Sequence, residues 1–352
     1  MAIYKEFDIQ PQNSAESGDV INNIKDIVSS GMWAEGAASI TSFFTSSVQS
    51  GSSGDYYLDA YASNPQSDTQ AKAQFSVAFG HFNGSGSLGR MGIVGNRASA
   101  AVYRQLSQTL LGPGEDQFTF AGTGANVKPK YVYAISVSRQ QLREKMDPGN
   151  WELHLKKGSD VLKFIDDSGA TTNPAVNQGG RVFNIVSGSI ATGTAVVNTA
   201  AASQTDGAYG LFYPDLGLLI FNGPQLDASS GNKGIALASG LGNNVNGDNN
   251  TKFYEAVKAG VYFQSRREEV ITSQHYFCRV PNKEFNFSSN PTFATASDGS
   301  FTQATFFKNP KTFITQVGLY NDAGELLAVA KLSKPLLKSY SREAIIKVKL
   351  DF

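Results

Sequence analysis

A glycine-rich segment has the first spacing that could support chemistry: Gly84-Ser-Gly86-Ser-Leu-Gly89 matches the pattern of a dinucleotide-binding loop. In such loops the glycines let the backbone approach a pyrophosphate, and a helix that opens within the loop supplies amide donors for the phosphate oxygens. Here the next helical pattern begins some seven residues after Gly89, near Asn96. The spacing favours a flexible loop over a nucleotide site, and we predict no cofactor-binding residues.

The three histidines and the single cysteine offer few ligands for a metal ion. His275 and Cys278 are three residues apart, which places them on opposite faces of a strand, and the further Cys or His ligands that a zinc site needs are not nearby. His81 and His154 each stand alone among strand-like residues, without an associated acid or serine pattern. We therefore predict no metal site, and a single cysteine excludes a disulfide within the chain.

Acidic side chains form two further patterns. Asp166-Asp167 could act as a carboxylate pair, but residues 165–169, Ile-Asp-Asp-Ser-Gly, also fit a turn after an apolar strand. Asn246, Asp248 and Asn250 alternate as in a calcium-binding loop, yet the glycine and the closing glutamate of that motif are missing. A turn and a loop are the favoured interpretations. The sequence also lacks G-x-S-x-G, P-loop and H-E-x-x-H motifs, so we predict no catalytic residues and no enzymatic activity.

Helical patterns are confined to short stretches. In residues 96–111 an apolar side chain recurs every four positions, behind an asparagine cap and ahead of Gly112-Pro113. A shorter helix is predicted over residues 138–146, stopped by Asp147-Pro148-Gly149 and placed between strand-like runs. Valine and isoleucine recur with weak periodicity over residues 20–28, which favours one more short helix there.

The clearest β pattern closes the chain. Residues 313–320 and 325–331 flank Asn321-Asp-Ala-Gly324, which is typical of a hairpin turn. Residues 344–352 alternate aliphatic with charged side chains, which predicts a strand with one buried face. We expect the hairpin and the last strand to share one apolar face and to form the core of a C-terminal domain.

The composition is that of a folded protein with little charge. Of 352 residues, 41% are apolar and 11% aromatic, which is enough to bury one or two cores. Charged residues make up 17%, against about 25% in an average soluble domain, and 30 basic side chains balance 30 acidic ones. Because no cluster of Lys and Arg is present, nucleic acid is not expected as a partner. Surfaces that are low in charge and rich in aromatic side chains are instead typical of faces that become protein interfaces.

These patterns predict a mainly β fold with a few helices (α+β), in which antiparallel sheets are joined by long polar loops. We expect a polar N-terminal arm (residues 1–30), a β-rich domain (residues 31–250) and a C-terminal β domain (residues 251–352) that opens with a helix. Residues 10–18 and 240–250 contain too few apolar side chains to fold alone, so we expect them to become ordered only in an assembly.

The N-terminal residues lack the basic and then apolar layout of a signal peptide. No apolar run approaches the roughly 20 residues needed to span a bilayer. We therefore expect a protein that is made in a cytoplasm-like compartment and does not insert into a membrane.

Eight segments along the chain carry a family resemblance: Ser30-Gly-Met-Trp-Ala-Glu-Gly36, Phe43-Phe-Thr-Ser-Ser47, Ser53-Gly-Asp-Tyr-Tyr-Leu-Asp59, Leu142-Arg-Glu-Lys-Met-Asp-Pro-Gly-Asn-Trp151, Tyr209-Gly-Leu-Phe-Tyr-Pro-Asp-Leu-Gly217, Asn286-Phe-Ser-Ser-Asn-Pro-Thr292, Lys311-Thr-Phe-Ile-Thr-Gln-Val-Gly-Leu-Tyr-Asn-Asp322 and Val348-Lys-Leu-Asp-Phe352. Together they resemble the large structural proteins of T4-like marine myoviruses, the cyanophage type included, and of related contractile-tailed phages. The resemblance covers most of the chain from about residue 30, and the last sixty residues are its most specific part.

The resemblance implies a virion protein of the contractile tail, most specifically a wedge or peripheral component of the baseplate, without catalysis. It implies other tail proteins (baseplate, sheath, tube or fibre subunits) and further copies of the chain as partners, in a virion assembled in the host bacterial cytoplasm. The alternative is a tail-fibre, collar or fibre-adaptor protein involved in host attachment, although fibres usually show repeats or coiled-coil heptads. A third class, a virion hydrolase, would need two positioned carboxylates or a metal.

Overall fold

The computed structural model describes residues 20–46, 57–87, 97–120, 126–169, 174–192, 209–228, 234–237, 248–295 and 298–351. Its mainly β architecture with a few helices and antiparallel strand pairing confirms the predicted fold class. The chain divides into two compact units. We call Val28–Glu269 the body, and we call Val270–Phe352 together with Met1–Ile27 the C-terminal unit.

Twelve strands belong wholly or partly to the body: β1 (Val20–Gly31), β2 (Ser39–Ile40), β3 (Tyr57–Tyr61), β4 (Ala73–His81), β5 (Tyr131–Val137), β6 (Lys145–Lys157), β7 (Asp160–Asp166), β8 (Ala175–Asn177), β9 (Gly180–Ser187), β10 (Gly210–Tyr213), β11 (Leu218–Asn222) and β12 (Phe263–Val280). The described helices are α1 (Ala98–Leu110), α2 (Arg139–Leu142), α3 (Gly223–Asp227) and α4 (Asn249–Gly260), with 3₁₀ turns at Ala34–Gly36, Ile190–Thr192 and Ala304–Phe307. The body sheet follows the order β1-β12-β6-β7-β9-β10-β11-β5-β4-β3, while β2 also pairs with β12 and β8 with β9.

Strand β5 shows how the body sheet is buried on both faces. Because side chains alternate along a strand, Tyr133, Ile135 and Val137 point into an inner core, whereas Val132 and Ala134 point into an outer one. The inner core is lined by side chains of β2 to β7, of β9 to β12 and of α4. The outer core also contains side chains of α1 and of the residues that follow α1, up to Phe120. A strand made almost entirely of β-branched, aromatic and small side chains suits this position.

The body sheet curls back over its inner core. Strands β4 and β12 are far apart in the sheet order, yet the rings of Phe75 and Phe263 are 5.3 Å apart between centroids. The Trp33 ring lies 4.7 Å from Phe263 and 6.0 Å from Phe75. All three side chains are fully buried, so this aromatic cluster closes the core between the two strands.

Two helix predictions need correction. Residues 20–28 form part of strand β1 and not a helix, because five β-branched side chains fit an extended chain beside β12 better than a helical turn. Helix α2 ends at Leu142, short of the predicted stop, since Arg143 takes a positive φ of 55° and the chain enters β6 at Lys145. The strong helical pattern near residues 96–111 gives α1, while Asn96, its predicted cap, lies outside the described residues.

The division of the chain also differs from the predicted one. Helix α4, which the sequence placed at the start of the C-terminal domain, packs on β6 and β4 and belongs to the body. The unit boundary lies between Glu269 and Val270, inside strand β12, and not at residue 250. Of the predicted polar N-terminal arm, residues 20–30 belong to β1, and residues 10–18 lie outside the described part of the chain.

The C-terminal unit contains the second part of β12 with three later strands, β13 (Thr312–Tyr320), β14 (Leu326–Lys338) and β15 (Ala344–Asp351). Strand β15 pairs with β12 in antiparallel register from Ala344 opposite Val280 to Asp351 opposite Ser273. As predicted, its aliphatic Ile346 and Val348 are buried and its lysines are exposed.

The expectation that the hairpin shares this face is wrong. Strands β13 and β14 form a separate two-stranded sheet, which we call the C-terminal hairpin. The chain reverses between β14 and β15, where Ser339 bridges to Arg342, and β15 then pairs along β12 instead. The Ser273 hydroxyl donates a 2.6 Å hydrogen bond to Asp351, and Arg279 forms an ion pair with Glu343, so both ends of this pairing are fixed by side chains.

Candidate interaction surface

The glycine-rich loop packs against the start of helix α1. Gly84 and Gly86 have positive φ values of 80° and 73°, and the Gly86 carbonyl accepts a 2.7 Å hydrogen bond from the Asn249 side chain. The Ser87 hydroxyl oxygen accepts a 3.0 Å hydrogen bond from the Ser99 N–H, which is one of the amides that a phosphate at this helix end would need. The loop is thus joined to α1 through the Ser87 hydroxyl and to α4 through the Asn249 side chain, and Gly89 lies outside the described residues.

The residues considered as metal ligands are not brought together. On β12, His275 lies opposite Lys349 and Cys278 opposite Ile346, so the two side chains occupy opposite faces. His81 is buried, and its ring stacks on Tyr131 at 6.0 Å. Burial, followed by the nearby Lys130 charge, lowers the pKa of His81. Within the described residues, no group of three or more His, Cys, Asp or Glu side chains converges as a metal site would require.

The predicted carboxylate pair is divided between two structural roles. Asp166 accepts hydrogen bonds from the N–H groups of Gly149 and Ser168, at 2.8 and 2.9 Å. Burial raises the pKa of Asp166 against the effect of these bonds. Asp167 instead accepts two 2.8 Å bonds from the backbone and side chain of Asn184. The two carboxylates therefore tie the β7 turn to different neighbours and do not face a common point.

The calcium-like pattern falls at the start of helix α4. Asp248 occupies the position before the first helical residue, and its carboxylate lies 3.1 Å from the Lys252 ammonium. Asn250 is buried inside the first turn, so residues 249 and 250 are not part of the predicted polar loop. Asn246 lies outside the described residues.

A polar cluster around Glu152 was not anticipated from the sequence. The buried Glu152 carboxylate lies 2.6 Å from His154 Nε2 and accepts bonds from the Ser189 hydroxyl at 3.0 Å and the Ile190 N–H at 2.8 Å. Burial raises the pKa of Glu152, but these hydrogen bonds outweigh it and hold the pKa below its usual value. The serine and the histidine both bond to the same carboxylate, so the serine is not placed against a histidine base as in a nucleophilic triad.

The C-terminal hairpin carries the largest set of exposed apolar side chains on one element. In register, Val317 and Leu319 lie opposite Ala330 and Ala328 on one face, and all four are only partly buried. The other face carries Val329 opposite Gly318. The large apolar side chains with at least a third of their surface exposed are Phe313, Tyr320, Leu326, Leu327 and Val329.

The base of the hairpin is held by buried polar contacts. Thr312 and Lys338 lie opposite each other, and both are buried. The Lys338 ammonium donates to the Asn282 carbonyl at 2.9 Å, to Asn286 Oδ1 at 3.0 Å and to the Ser339 carbonyl at 3.1 Å. The Thr312 hydroxyl donates to the Phe285 carbonyl at 2.8 Å. Both strands are therefore fixed to residues 282–286 at one end, while the exposed apolar side chains continue towards the turn.

Next to this base, a small aromatic cluster is centred on Phe293. The Phe293 ring lies 4.9 Å from Phe306, 5.6 Å from Phe287 and 5.7 Å from Phe301. Phe293 is buried, but Phe287 and Phe301 are exposed at their outer edges. The neighbouring Phe307 is 79% exposed. The same unit thus presents aromatic as well as aliphatic side chains to its surroundings.

Neither family nor fold comparison identifies the chain. No protein-family model, curated protein or solved structure matches it. Of the helices that the structure describes, none combines the length and apolar character needed to cross a bilayer. What the chain does must therefore be inferred from its own surfaces.

Sequence reasoning located the hairpin but missed its exposure. The signal was present: Leu326 and Leu327 are adjacent in sequence and Val329 follows two positions later, so large apolar side chains are not restricted to alternate positions of this strand. A strand with one buried face alternates apolar and polar side chains instead. Apolar side chains without that alternation are typical of a strand covered on both sides, yet here Leu326, Leu327 and Val329 are exposed.

Replacing Lys338 with methionine should loosen the base of the hairpin. The change keeps the aliphatic stem but removes the donor of two buried acceptors, Asn286 Oδ1 and the Ser339 carbonyl, and one unsatisfied buried polar group costs about 1–3 kcal/mol. We expect a lower melting temperature and faster hydrogen exchange in residues 282–286. Lys331→Met, on the exposed part of the same strand, should change the free energy of unfolding by no more than about 0.5 kcal/mol. If Lys338→Met and Lys331→Met change the free energy of unfolding equally, the buried contacts of Lys338 contribute nothing to stability.

Proposed function

We propose that this protein is a non-enzymatic structural subunit of a contractile phage tail, and most specifically a baseplate component. The observation that carries the proposal is the C-terminal hairpin, a two-stranded sheet with exposed apolar side chains on both faces. The sequence resemblance, which is most specific in the same part of the chain, supplies the biological setting.

An exposed hairpin of this kind is suited to assembly for an energetic reason. Two strands alone are marginally stable in water, and a sheet generally needs a third strand or a packed face to be stable. Apolar patches of this type on a protein surface usually mark sites where another protein binds. The low charge of the chain fits the same role, because charged residues are depleted at the centres of protein interfaces.

The polar clusters support a structural role in place of catalysis. Asp166, Asp167 and Glu152 each bond to backbone amides that fix a turn. In a hydrolase, two carboxylates would instead face a common substrate position. These three acids thus have specific structural partners within the fold.

The proposal can be tested in particles produced by a host that expresses variants of the chain. In the test variant Phe313, Leu327 and Val329 are all replaced by serine, which removes exposed apolar surface from the hairpin. The matched control replaces Phe307, Val161 and Val176 with serine, which are exposed apolar residues outside the hairpin. Both variants should keep the wild-type circular dichroism, since neither change reaches a core.

We expect mass spectrometry of purified particles to find the control at wild-type abundance and the hairpin variant at a small fraction of it. Cryo-EM of the wild-type particle should place the chain in the tail, and its position would distinguish the baseplate from a fibre or collar. The proposal fails if wild-type chain is absent from particles, or if the hairpin variant enters them as well as the control does.

A further inference from the structure

The two outer edges of the C-terminal hairpin differ in their capacity to pair. Strands β13 and β14 pair only with each other among the described strands, so each has one outer edge of backbone amides and carbonyls. Such an edge is a template for another strand unless the sequence protects it.

The edge of β14 is protected by three features. Its register with β13 jumps from Leu336 opposite Ile314 to Lys331 opposite Gln316, so residues 332–335 bulge out of the ladder. Pro335 within this bulge has no N–H to donate. Lys331 and Lys334 add exposed charge along the same stretch. Bulges, prolines and lysines are the devices by which natural sheet edges avoid pairing with other chains.

The edge of β13 has none of these features. Its nine residues, Thr-Phe-Ile-Thr-Gln-Val-Gly-Leu-Tyr, include no charged side chain and no proline. β-branched and aromatic side chains, which favour strands, make up most of the sequence. A strand of this length and composition at an unprotected edge is expected to pair with another strand.

We propose that β13 pairs in antiparallel orientation with β13 of a second copy of this chain, in a register centred on Gln316. The inference rests on the proposed function in treating the hairpin as an assembly element, and it names the partner. The arrangement gives a four-stranded sheet with the order β14-β13-β13-β14, which exceeds the three strands that a stable sheet needs.

The sequence of β13 fits its own copy in this register. Phe313 lies opposite Leu319 of the second copy and Ile314 opposite Gly318, so a large side chain meets an apolar or a small one. Each pair occurs twice, because a two-fold interface repeats every contact. A charged residue at the centre of a self-pairing strand would meet its own copy and repel it, and β13 has no charge to do so. This self-complementarity favours a second copy over an unrelated strand.

A disulfide at the two-fold axis tests the pairing directly on the isolated protein. Residues directly opposite in antiparallel strands have Cα atoms about 4.5–5.5 Å apart, which suits a disulfide. We would replace the single cysteine, Cys278→Ser, and introduce Gln316→Cys; the control carries Ser333→Cys on the bulge of β14. Mild oxidation should give a covalent dimer of the Gln316→Cys protein that reductant dissolves, and much less dimer of the control.

A second measurement removes an apolar contact without a cysteine. Phe313→Ser should raise the dissociation constant of the dimer about tenfold or more, because the contact is lost twice. Phe307→Ser, which removes a ring outside the hairpin that is even more exposed than Phe313, should leave the dissociation constant unchanged. Light scattering over a concentration series would measure both, with melting temperatures to show that each variant is folded.

A wild-type chain that stays at the mass of one chain throughout the series would overturn the self-pairing, as would equal cross-linking at positions 316 and 333. A dimer that Phe313→Ser leaves unchanged would also overturn it, since another surface would then hold the dimer. None of these outcomes touches the proposed function, which depends on entry of the chain into particles. Conversely, the protein could form the expected dimer and yet be absent from particles. That result would support the β13 pairing and refute the proposed function.

Discussion

Deleting the residues from Ile345 onward is expected to leave almost no soluble protein. Strand β15 covers the edge of β12 from Ser273 to Val280, and the truncation would expose that edge together with the apolar face that Ile346 and Val348 now cover. Burying each of these side chains is worth about 1.5–3 kcal/mol, and a typical protein is stable by about 5–15 kcal/mol. The measurement is the soluble fraction after expression, followed by the melting temperature of whatever remains.

The control for this truncation changes the exposed face of the same strand. Lys347 lies 5.7 Å above the Phe277 ring, and Lys349 lies 3.0 Å from Asp351. Such exposed contacts are worth up to about 1 kcal/mol, so Lys347→Ser or Lys349→Ser should leave folding intact. If the truncated chain melts at the wild-type temperature, β15 is not part of the core of the C-terminal unit.

Replacing Phe263 with alanine should destabilise the body by about 3–5 kcal/mol, the usual cost of removing a buried aromatic ring. Phe263 is fully buried between Trp33 and Phe75, at the place where the curled sheet closes. Its removal leaves a cavity that the surroundings can fill only in part, because sheet pairing fixes the backbones of the neighbouring strands. Denaturant unfolding monitored by tryptophan fluorescence would report the change directly, since Trp33 is one of the two contacting rings.

Phe307→Ala provides the comparison, because the same ring is removed from a position that is 79% exposed. We expect the free energy of unfolding to change by no more than about 0.5 kcal/mol in that variant. If both variants lose a similar amount of unfolding free energy, the aromatic cluster around Phe263 does not stabilise the body.

Local patterns predicted individual elements well where periodicity and end signals agreed. Strand β5 and strand β15 alternate or run apolar over their full length, and α1 has both helical spacing and a Gly-Pro stop. The prediction failed for residues 20–28, because the spacing of valine and isoleucine there fits a helix while their branching favours a strand. The neighbouring strand β12 decides between the two, and it lies near the other end of the sequence.

The order of strands and the polar anchors could not be predicted for a different reason. Strand β5 lies between β4 and β11 in the sheet, although β6 to β10 separate β5 from β11 in the sequence. The Lys338 ammonium is satisfied by residues about fifty positions earlier, and nothing in the spacing of Asn282 and Asn286 indicates this role. Such contacts depend on the path of the whole chain, so a pattern read over ten or fifteen residues contains no information about them.

The pairing of β12 has a consequence for the way the chain is synthesised. Position 263 pairs with position 40 on one strand and with position 153 on another, so the body sheet cannot be completed until most of the chain has left the ribosome. Until then, one edge of β6 stays open while neighbouring strands are already present. Folding that depends on such distant contacts is slow, and an open edge during the delay invites aggregation. We therefore expect yield in a heterologous host to rise at reduced translation rate or temperature.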